Sequence, residues 1–328
     1  MKLAALFAFV MLICVAGRAE AMNVGFEALT IANGAEKPLQ IGIWYPTEAS
    51  AKAQPLGLFT QTVAAGAAPA AGSHPLIVMS HGAGGSYEGH YDTAGALAEA
   101  GFVVAAVSHT GDTYDDQSQA ARIWTRSNHI YRLVDYMLAE WPRRASVDVQ
   151  RVGMFGFSAG GFTTLVIAGG APDLRRVPPH CVAHPDYFDC GVVKTVPDLA
   201  SLIASLPPSV WVHDPRVKAG VVAAPALGFT FGREGLKDVR IPIQLWRAED
   251  DHILPNPDYA EAVRANLPRP PEFHLVKNGD HFDFLAPCSD ALRQAAPDIC
   301  VSRAGFDRVA FHRTFNREVV GFFERTLK

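Results

Sequence analysis

One serine of this 328-residue chain lies in a pattern that suits nucleophilic catalysis. Ser158 is flanked by Gly156 and Gly160, which gives the spacing G-x-S-x-G. An apolar run at residues 152–157 precedes this pattern and another at 162–168 follows it, as expected of a strand that turns sharply into a helix. Such a turn brings neighbouring backbone too close for side chains at the two glycine positions. We therefore predict that Ser158 attacks a carbonyl group.

A serine nucleophile needs a general base and an acid that orients the base. His281 follows the last predicted strand in a Gly-Asp-His loop, which is the expected place for the base. Three acids, Glu249, Asp250 and Asp251, follow the strand before it. Asp251 is favoured because Ala248 stands three positions before it and Ile-Leu-Pro follows it, while Asp250 stays open as the alternative.

The elements that must position these residues alternate between strands and helices. Buried strands are predicted from apolar runs at residues 74–80, 102–108, 152–157, 217–225, 241–246 and 272–276, with helices at 91–100, 123–141, 257–266 and 306–327. Short links between them predict an α/β fold with a mostly parallel central sheet flanked by helices. Ahead of these, runs at 24–31 and 39–45 joined through Asn33-Gly34 predict an N-terminal antiparallel hairpin.

Two stretches break this regular pattern. Residues 46–73 are rich in Ala, Gly and Pro, and we predict an irregular surface connection there. At residues 171–215 we predict a small cap insertion over the active-site mouth, with an ordinary surface excursion as the alternative. His109 and Asp112 follow the strand at 102–108, where they could line a pocket or serve as ordinary polar loop residues.

The N-terminus has the features of a secretory signal peptide. Lys2 precedes an apolar run at residues 3–17, and Ala19-Glu20-Ala21 has the form of a cleavage site. The run is short of the ~20 residues that span a bilayer, so a stable membrane anchor is not expected. We predict a signal peptide at 1–21, a single domain at 22–328, and a mature protein that is periplasmic or secreted.

Four cysteines remain after residue 21, an even number that indicates disulfides in an exported protein. Three pairings are possible. Cys181 with Cys190 and Cys288 with Cys300 are favoured because each pair brackets a short loop. A zinc site is not predicted, because no pair of cysteines has the spacing C-x-x-C.

The formal net charge is −4, with 29 basic and 33 acidic residues. Such a balance gives no indication of nucleic acid or of an anionic membrane as a partner. A small molecule is the expected partner, and the sequence does not indicate an oligomeric state.

Taken with the loop His81-Gly82-Ala83, the set Ser158, Asp251 and His281 resembles the α/β-hydrolase superfamily over nearly all of the mature chain. Within it, the chain resembles secreted dienelactone-hydrolase-like esterases, a group that extends to platelet-activating-factor acetylhydrolases. That narrower likeness rests on Trp44-Tyr45-Pro46 after the hairpin, the Gly-Phe-Ser-Ala-Gly turn and the Gly-Asp-His-Phe loop. Dienelactone hydrolases use cysteine as nucleophile, so a serine here shifts the expectation toward ordinary carboxylic esters.

The resemblance implies an oxyanion hole made by the backbone amides of Ala83 and Ala159. It also implies that His81 shapes this loop, and that no metal or organic cofactor takes part. The expected reaction is the hydrolysis of a small ester through an acyl-enzyme. A serine peptidase, an acyltransferase, or a binding protein that keeps the fold without catalysis remain alternatives, because acyl and leaving groups are selected by pocket shape.

Overall fold

The protein is represented by a computed structural model that describes residues 22–328. The predicted signal peptide at residues 1–21 lies outside the described residues. In the part that is described, no helix has both the length and the apolar character needed to cross a membrane.

A ten-stranded mixed sheet forms the centre of the molecule. In chain order its strands are β1 (Asn23–Asn33), β2 (Glu36–Thr47), β3 (Lys52–Leu56), β4 (Phe59–Ala65), β5 (His74–Ser80), β6 (Val103–Ser108), β7 (Val147–Phe157), β8 (Val217–Ala223), β9 (Ile243–Ala248) and β10 (Glu272–Val276). Their order across the sheet is β10-β9-β8-β7-β5-β6-β2-β1-β4-β3. The six strands from β10 to β6 are mutually parallel, and β2 pairs antiparallel with both β6 and β1. This arrangement confirms the predicted parallel sheet and N-terminal hairpin.

Helices cover both faces of the sheet. In chain order they are α1 (Tyr91–Glu99), α2 (Thr125–Asp135), α3 (Ala159–Ile167), α4 (Val177–Ala183), α5 (Phe188–Val193), α6 (Leu199–Ser205), α7 (Arg233–Leu236), α8 (Ala260–Asn266), α9 (Asp290–Ala295) and α10 (Arg308–Thr326). Successive residues of a strand face opposite sides. Ile77 of β5 accordingly packs in one core with α1 and α10, while Val78 packs in another with α2. Burial on both faces explains the continuous apolar runs of these strands.

The prediction of an irregular connection at residues 46–73 is wrong. The structure places β3 and β4 there as an antiparallel pair at the edge of the sheet. Pro55 lies in β3, the outermost strand, where a missing N–H costs no ladder bond with a further strand. Gly57 makes the tight turn between the two strands with φ of +53°. The high alanine and proline content of this stretch gave no strand pattern, so the short edge hairpin was not predicted.

The predicted helix at residues 123–141 is shorter than expected. It begins at Thr125, and a π-helical turn at Tyr136–Glu140 follows α2. The predicted apolar face packs on the sheet, and Ile130 and Leu133 are fully buried. Arg126 in the first turn is also buried, at 1% exposure, which the apolar periodicity did not indicate.

The insertion at residues 171–215 folds into α4, α5, α6 and two short 3₁₀ turns. A disulfide between Cys181 and Cys190 joins α4 to α5, with a Cα–Cα distance of 5.2 Å. The second disulfide joins Cys288 to Cys300 at 5.8 Å. These are the two pairings favoured from the sequence. Each links residues close in the chain, so each restrains one local loop.

Candidate active site

The strand β7 turns into α3 at Ser158, which has φ of 55° and ψ of −117°. A non-glycine residue rarely takes this conformation, and contacts around it must hold it there. The Ser158 amide donates to the carbonyl of Ala223 on β8 at 2.9 Å. A Cβ on Gly160 would lie 1.9 Å from the Ser80 carbonyl oxygen, and one on Gly156 would lie 2.1 Å from the Gly160 oxygen. The predicted steric need for both glycines is therefore present.

His281 is the side chain that the structure brings to this serine. Its Nε2 lies 3.1 Å from Ser158 Oγ, and its Nδ1 lies 2.8 Å from Asp251 Oδ2. The imidazole is 1% exposed, Asp251 7% and Ser158 8%. The three residues follow β7, β9 and β10, whose carboxyl ends meet at one edge of the parallel sheet. Residues 123 and 30 positions apart are thereby placed in hydrogen-bond contact.

The three competing acids have different partners. Asp251 Oδ1 accepts the amides of Ile253 and Leu254 at 3.1 and 2.7 Å, which leaves Oδ2 turned to the imidazole. Asp250 instead forms an ion pair with Arg303 at 3.1 Å. Glu249 accepts the amide of Asn278 at 2.9 Å. The acid that touches His281 is therefore Asp251, the one favoured from the sequence.

The loop that carries His281 is held by its own acids. Asp280 accepts the His281 amide at 2.7 Å and contacts His252 Nδ1 at 2.6 Å. Asp283, two residues after His281, accepts the Asp280 amide at 2.8 Å and completes a capping box. Arg308 donates to Asp283 at 3.0 Å. His281 is therefore placed by a short 3₁₀ turn that several hydrogen bonds support.

The aromatic residue before the nucleophile faces inward. Phe157 is 2% exposed, and its ring lies 4.8 Å from the imidazole of His281 and 6.1 Å from Phe284, centroid to centroid. It supports the imidazole from one side.

The loop at residues 81–85 follows β5 and lies against Ser158; we call it the oxyanion loop after its predicted role. A Cβ added at Gly82 would lie 3.2 Å from Ser158 Cβ and 3.1 Å from the Phe157 ring. Within residues 22–328, the amides of Ala83 and Ala159 donate no hydrogen bond. Two backbone donors beside a serine are what a developing oxyanion requires.

His81 contacts the backbone of its own loop and of the next one. Burial, with a smaller effect from the cation of Arg126, lowers the pKa of His81 to about 3, so the ring is neutral at pH 7. Its Nε2 accepts the His109 amide at 3.0 Å, which leaves the proton on Nδ1 to donate to the Gly82 oxygen at 2.6 Å. Both ring nitrogens are therefore occupied by the backbone.

His109 and Asp112 are more deeply placed than ordinary loop residues. They are 0% and 4% exposed, and both belong to a buried polar network beneath the oxyanion loop. His109 Nε2 contacts Ser80 Oγ at 2.8 Å, and Asp112 pairs with Arg126 at 2.7 Å. The sequence analysis did not single out Arg126. Its signal was an arginine at the start of a helix, on the same face as the apolar residues Ile130, Leu133 and Val134.

One cluster, formed by two histidines of the insertion and an aspartate after β9, has the donor types that metals use. Nitrogen atoms of His180 and His184 and an oxygen of Asp258 lie within 4.8 Å of one another. The spacing His-x-x-x-His was visible in the sequence and was overlooked. His184 and Asp258 are 3.7 Å apart, and the ring of His180 stacks on Phe229 at 3.6 Å between centroids. Zinc takes such nitrogen and oxygen ligands at about 2.0–2.2 Å from the ion.

The sheet order and the strand–serine–helix turn define the fold class, and the protein has the α/β-hydrolase fold. Residues 61–186 match the model of the Dienelactone hydrolase family. The chain thus resembles that family, as predicted from the sequence, over a segment that contains residues 81–85 and Ser158. This match supports an ester-hydrolysing enzyme.

Comparison with solved structures gives the same fold. A ferulic acid esterase from Streptomyces cinnamoneus superposes with a TM-score of 0.65 and 20% identity, over 95% of this chain and 92% of that chain. No curated protein matches the sequence.

Proposed function

We propose that the protein is a serine esterase that hydrolyses carboxylic esters through an acyl-enzyme, with Ser158 as nucleophile, His281 as base and Asp251 as orienting acid. The observation that carries this proposal is the continuous contact from Ser158 Oγ to His281 Nε2 at 3.1 Å and from His281 Nδ1 to Asp251 Oδ2 at 2.8 Å. The order along the chain, Ser, then Asp, then His, is that of α/β-hydrolases.

In this mechanism Ser158 Oγ attacks the ester carbonyl while His281 Nε2 accepts the hydroxyl proton. Asp251 stabilises the imidazolium and keeps the Nδ1 proton in place. His281 then donates its proton to the departing alcohol, which leaves an acyl group on Ser158. Water, deprotonated by His281, attacks the acyl-enzyme and releases the acid.

The amides of Ala83 and Ala159 would donate to the oxygen that becomes negative in both tetrahedral intermediates. Such donors act where water is excluded, and losing one typically raises the barrier by about 3 kcal/mol. The burial of the three side chains supports this role, since electrostatic interactions are stronger away from water.

We also propose that the enzyme acts outside the reducing cytosol. Disulfides persist in oxidising compartments, and two of them are formed among the described residues. The signal peptide predicted at residues 1–21 agrees with this.

The test of the esterase proposal is a panel of p-nitrophenyl esters of increasing acyl length, run with a feruloyl ester, an amide substrate and an alcohol acceptor. The feruloyl ester belongs in the panel because the solved relative is a ferulic acid esterase. We expect ester hydrolysis to dominate. Faster amide cleavage would indicate a peptidase, and faster transfer to the alcohol would indicate an acyltransferase.

Replacement of the nucleophile tests the mechanism. We expect Ser158→Ala to lower turnover on the order of 10⁶-fold, as loss of the serine does in related triads. Ser201→Ala on the exposed surface of α6 is the matched control and should keep wild-type activity. A fluorophosphonate probe should label the wild type at Ser158. Activity near wild type in Ser158→Ala would show that the proposal is wrong.

A further inference from the structure

Arg126 is a buried cation with no place in the triad. It stands in the first turn of α2 and is 1% exposed. Burying an arginine is expensive unless its charge is paired and its donors are satisfied. The pairing is provided by Asp112 Oδ2, which accepts from Arg126 Nε at 2.9 Å and from Nη2 at 2.7 Å.

The remaining donors of Arg126 reach the oxyanion loop. Nη1 donates to the His81 carbonyl at 2.6 Å, and Nη2 donates to the Gly82 carbonyl at 3.1 Å. The second oxygen of Asp112 accepts the Gly84 amide at 2.8 Å. The ion pair therefore holds backbone groups on both sides of Ala83 without touching Ala83 itself.

The direction of one peptide follows from these contacts. The Gly82–Ala83 bond is trans, so the N–H of Ala83 points opposite to the carbonyl of Gly82. That carbonyl is turned inward, where Arg126 and His81 Nδ1 both donate to it. The N–H is then directed away from the buried network. Because Gly82 lies against Ser158, this is the side on which a substrate carbonyl would lie.

We propose that Arg126, held in place by Asp112, is a positioning residue that fixes the Gly82–Ala83 peptide with its N–H directed at the oxyanion. The inference rests on the proposed esterase function and extends it to a residue outside the triad. Without the guanidinium, the Gly82 carbonyl loses one of its two buried donors, and rotation of the peptide would withdraw the Ala83 amide from the site. Glycine at position 82 makes such a rotation sterically easy.

Lysine cannot replace this arginine. The guanidinium joins one carboxylate and two carbonyl oxygens through a planar fork, whereas an ammonium is a compact charge on a flexible stem. Burial alone would raise the pKa of Asp112, but Arg126 and the Gly84 amide outweigh it, and the pKa is lowered. The Asp112 carboxylate therefore stays ionised at neutral pH, with its charge beside the guanidinium of Arg126.

The experiment compares Arg126→Met, Arg126→Lys and Asp112→Asn with wild type on one activated ester. We expect Arg126→Met to lower kcat by about 10²–10³-fold, the usual effect of losing one oxyanion donor, with KM changed by less than about 3-fold. Arg126→Lys and Asp112→Asn should each lower kcat by about 10-fold or more. Affinity for an aryl trifluoromethyl ketone, whose adduct carries an oxyanion, should fall in step with kcat/KM.

Arg216→Met is the matched control. Arg216 also pairs with two acids, Asp214 and Asp135, but it precedes β8 at the end of the sheet opposite the site. We expect it to lower the melting temperature and leave kcat unchanged. If a folded Arg126→Met keeps kcat within about 5-fold of wild type, the inference is wrong. If Arg126→Met does not fold, wild-type turnover in Arg126→Lys and Asp112→Asn overturns it equally.

The Ser158→Ala variant distinguishes failure of the proposed esterase function from failure of the positioning role of Arg126. If Ser158→Ala keeps its activity, the esterase mechanism itself is wrong. If Ser158→Ala is inactive while the Arg126 and Asp112 variants turn over like wild type, the mechanism stands and the positioning role is excluded.

Discussion

The carboxylate of Asp251 lies 2.8 Å from His281 Nδ1, while Asp280, the chain neighbour of His281, contacts the ring of His252 instead. The partner of the imidazole is thus an acid 30 residues away. The reason is geometric. Asp251 follows β9 and His281 follows β10, and these parallel strands are adjacent in the sheet.

This pairing predicts the effect of removing each acid. Asp251→Asn should lower kcat on the order of 10⁴-fold, because an amide at this position favours the wrong imidazole tautomer. Asp250→Asn should change kcat by less than about 2-fold, since Asp250 pairs with the half-exposed Arg303 and such pairs contribute about 0–1 kcal/mol. Steady-state kinetics on one activated ester would decide. A larger loss in Asp250→Asn than in Asp251→Asn would move the acid to position 250.

The steric limit at the nucleophile turn predicts opposite effects for two glycine substitutions. In Gly160→Ala the new methyl would lie 1.9 Å from the Ser80 oxygen, so we expect loss of activity and about 1–3 kcal/mol or more of destabilisation. Gly95 in α1 has no atom within 4 Å of an added Cβ. Gly95→Ala should therefore raise the free energy of unfolding by about 0.5–1 kcal/mol. Urea denaturation measures both, and an active, stable Gly160→Ala would contradict the steric argument.

The second disulfide should affect catalysis as well as stability. Just after Cys300, Ser302 donates to Asp283 in the turn that carries His281, and Arg308 contacts both Asp283 and the sulfur of Cys288. Removing both cysteines, 288 and 300, should cost about 2–3 kcal/mol of stability and lower kcat before global unfolding. Thermal denaturation and activity at 25 °C are the measurements.

The control for this experiment is removal of Cys181 and Cys190, which should cost a similar stability. That disulfide lies within the insertion at residues 171–215, which we predict to be a cap, so its loss should alter KM for longer acyl chains more than kcat for a short ester. A fully active enzyme without the 288–300 disulfide would show that the loop beyond Cys300 does not support His281.

Buried neutral histidines predict a loss of stability in acid. Burial lowers the pKa of His81 to about 3 and of His90 to about 4, and it lowers the pKa of His109 well below its ordinary value. Below pH 6.5 the unfolded chain binds protons at these sites while the native state does not. The stabilisation that these histidines contribute is therefore fully present above pH 6.5. As the pH decreases toward 4, the free energy of unfolding falls by about 1.4 kcal/mol per pH unit for each such histidine.

His90→Gln isolates one of these contributions. The ring of His90 packs against Phe155 and Phe157, at 5.1 and 5.4 Å between centroids. The slope of unfolding free energy between pH 6 and pH 5 should decrease by about 1.4 kcal/mol per pH unit in the variant. An unchanged slope would show that His90 is protonated in the native state.

Much of the fold followed from local pattern. Continuous apolar runs and glycine at the nucleophile turn predicted the parallel strands, because burial on both faces and backbone crowding act on neighbouring residues. The edge hairpin β3–β4 escaped prediction because its stability comes from pairing beside β1, which a proline- and alanine-rich sequence does not show.

By itself the sequence determined the nucleophile turn, the sheet, the favoured cysteine pairs and a short list of candidate acids. Only the tertiary structure decided that Asp251 contacts His281 and that Arg126 and Asp112 lie beneath the oxyanion loop. The physical reason is that these contacts join the ends of different strands and a helix. Periodicity reports which face of an element is buried, whereas the partner of a buried charge depends on which elements the fold places side by side.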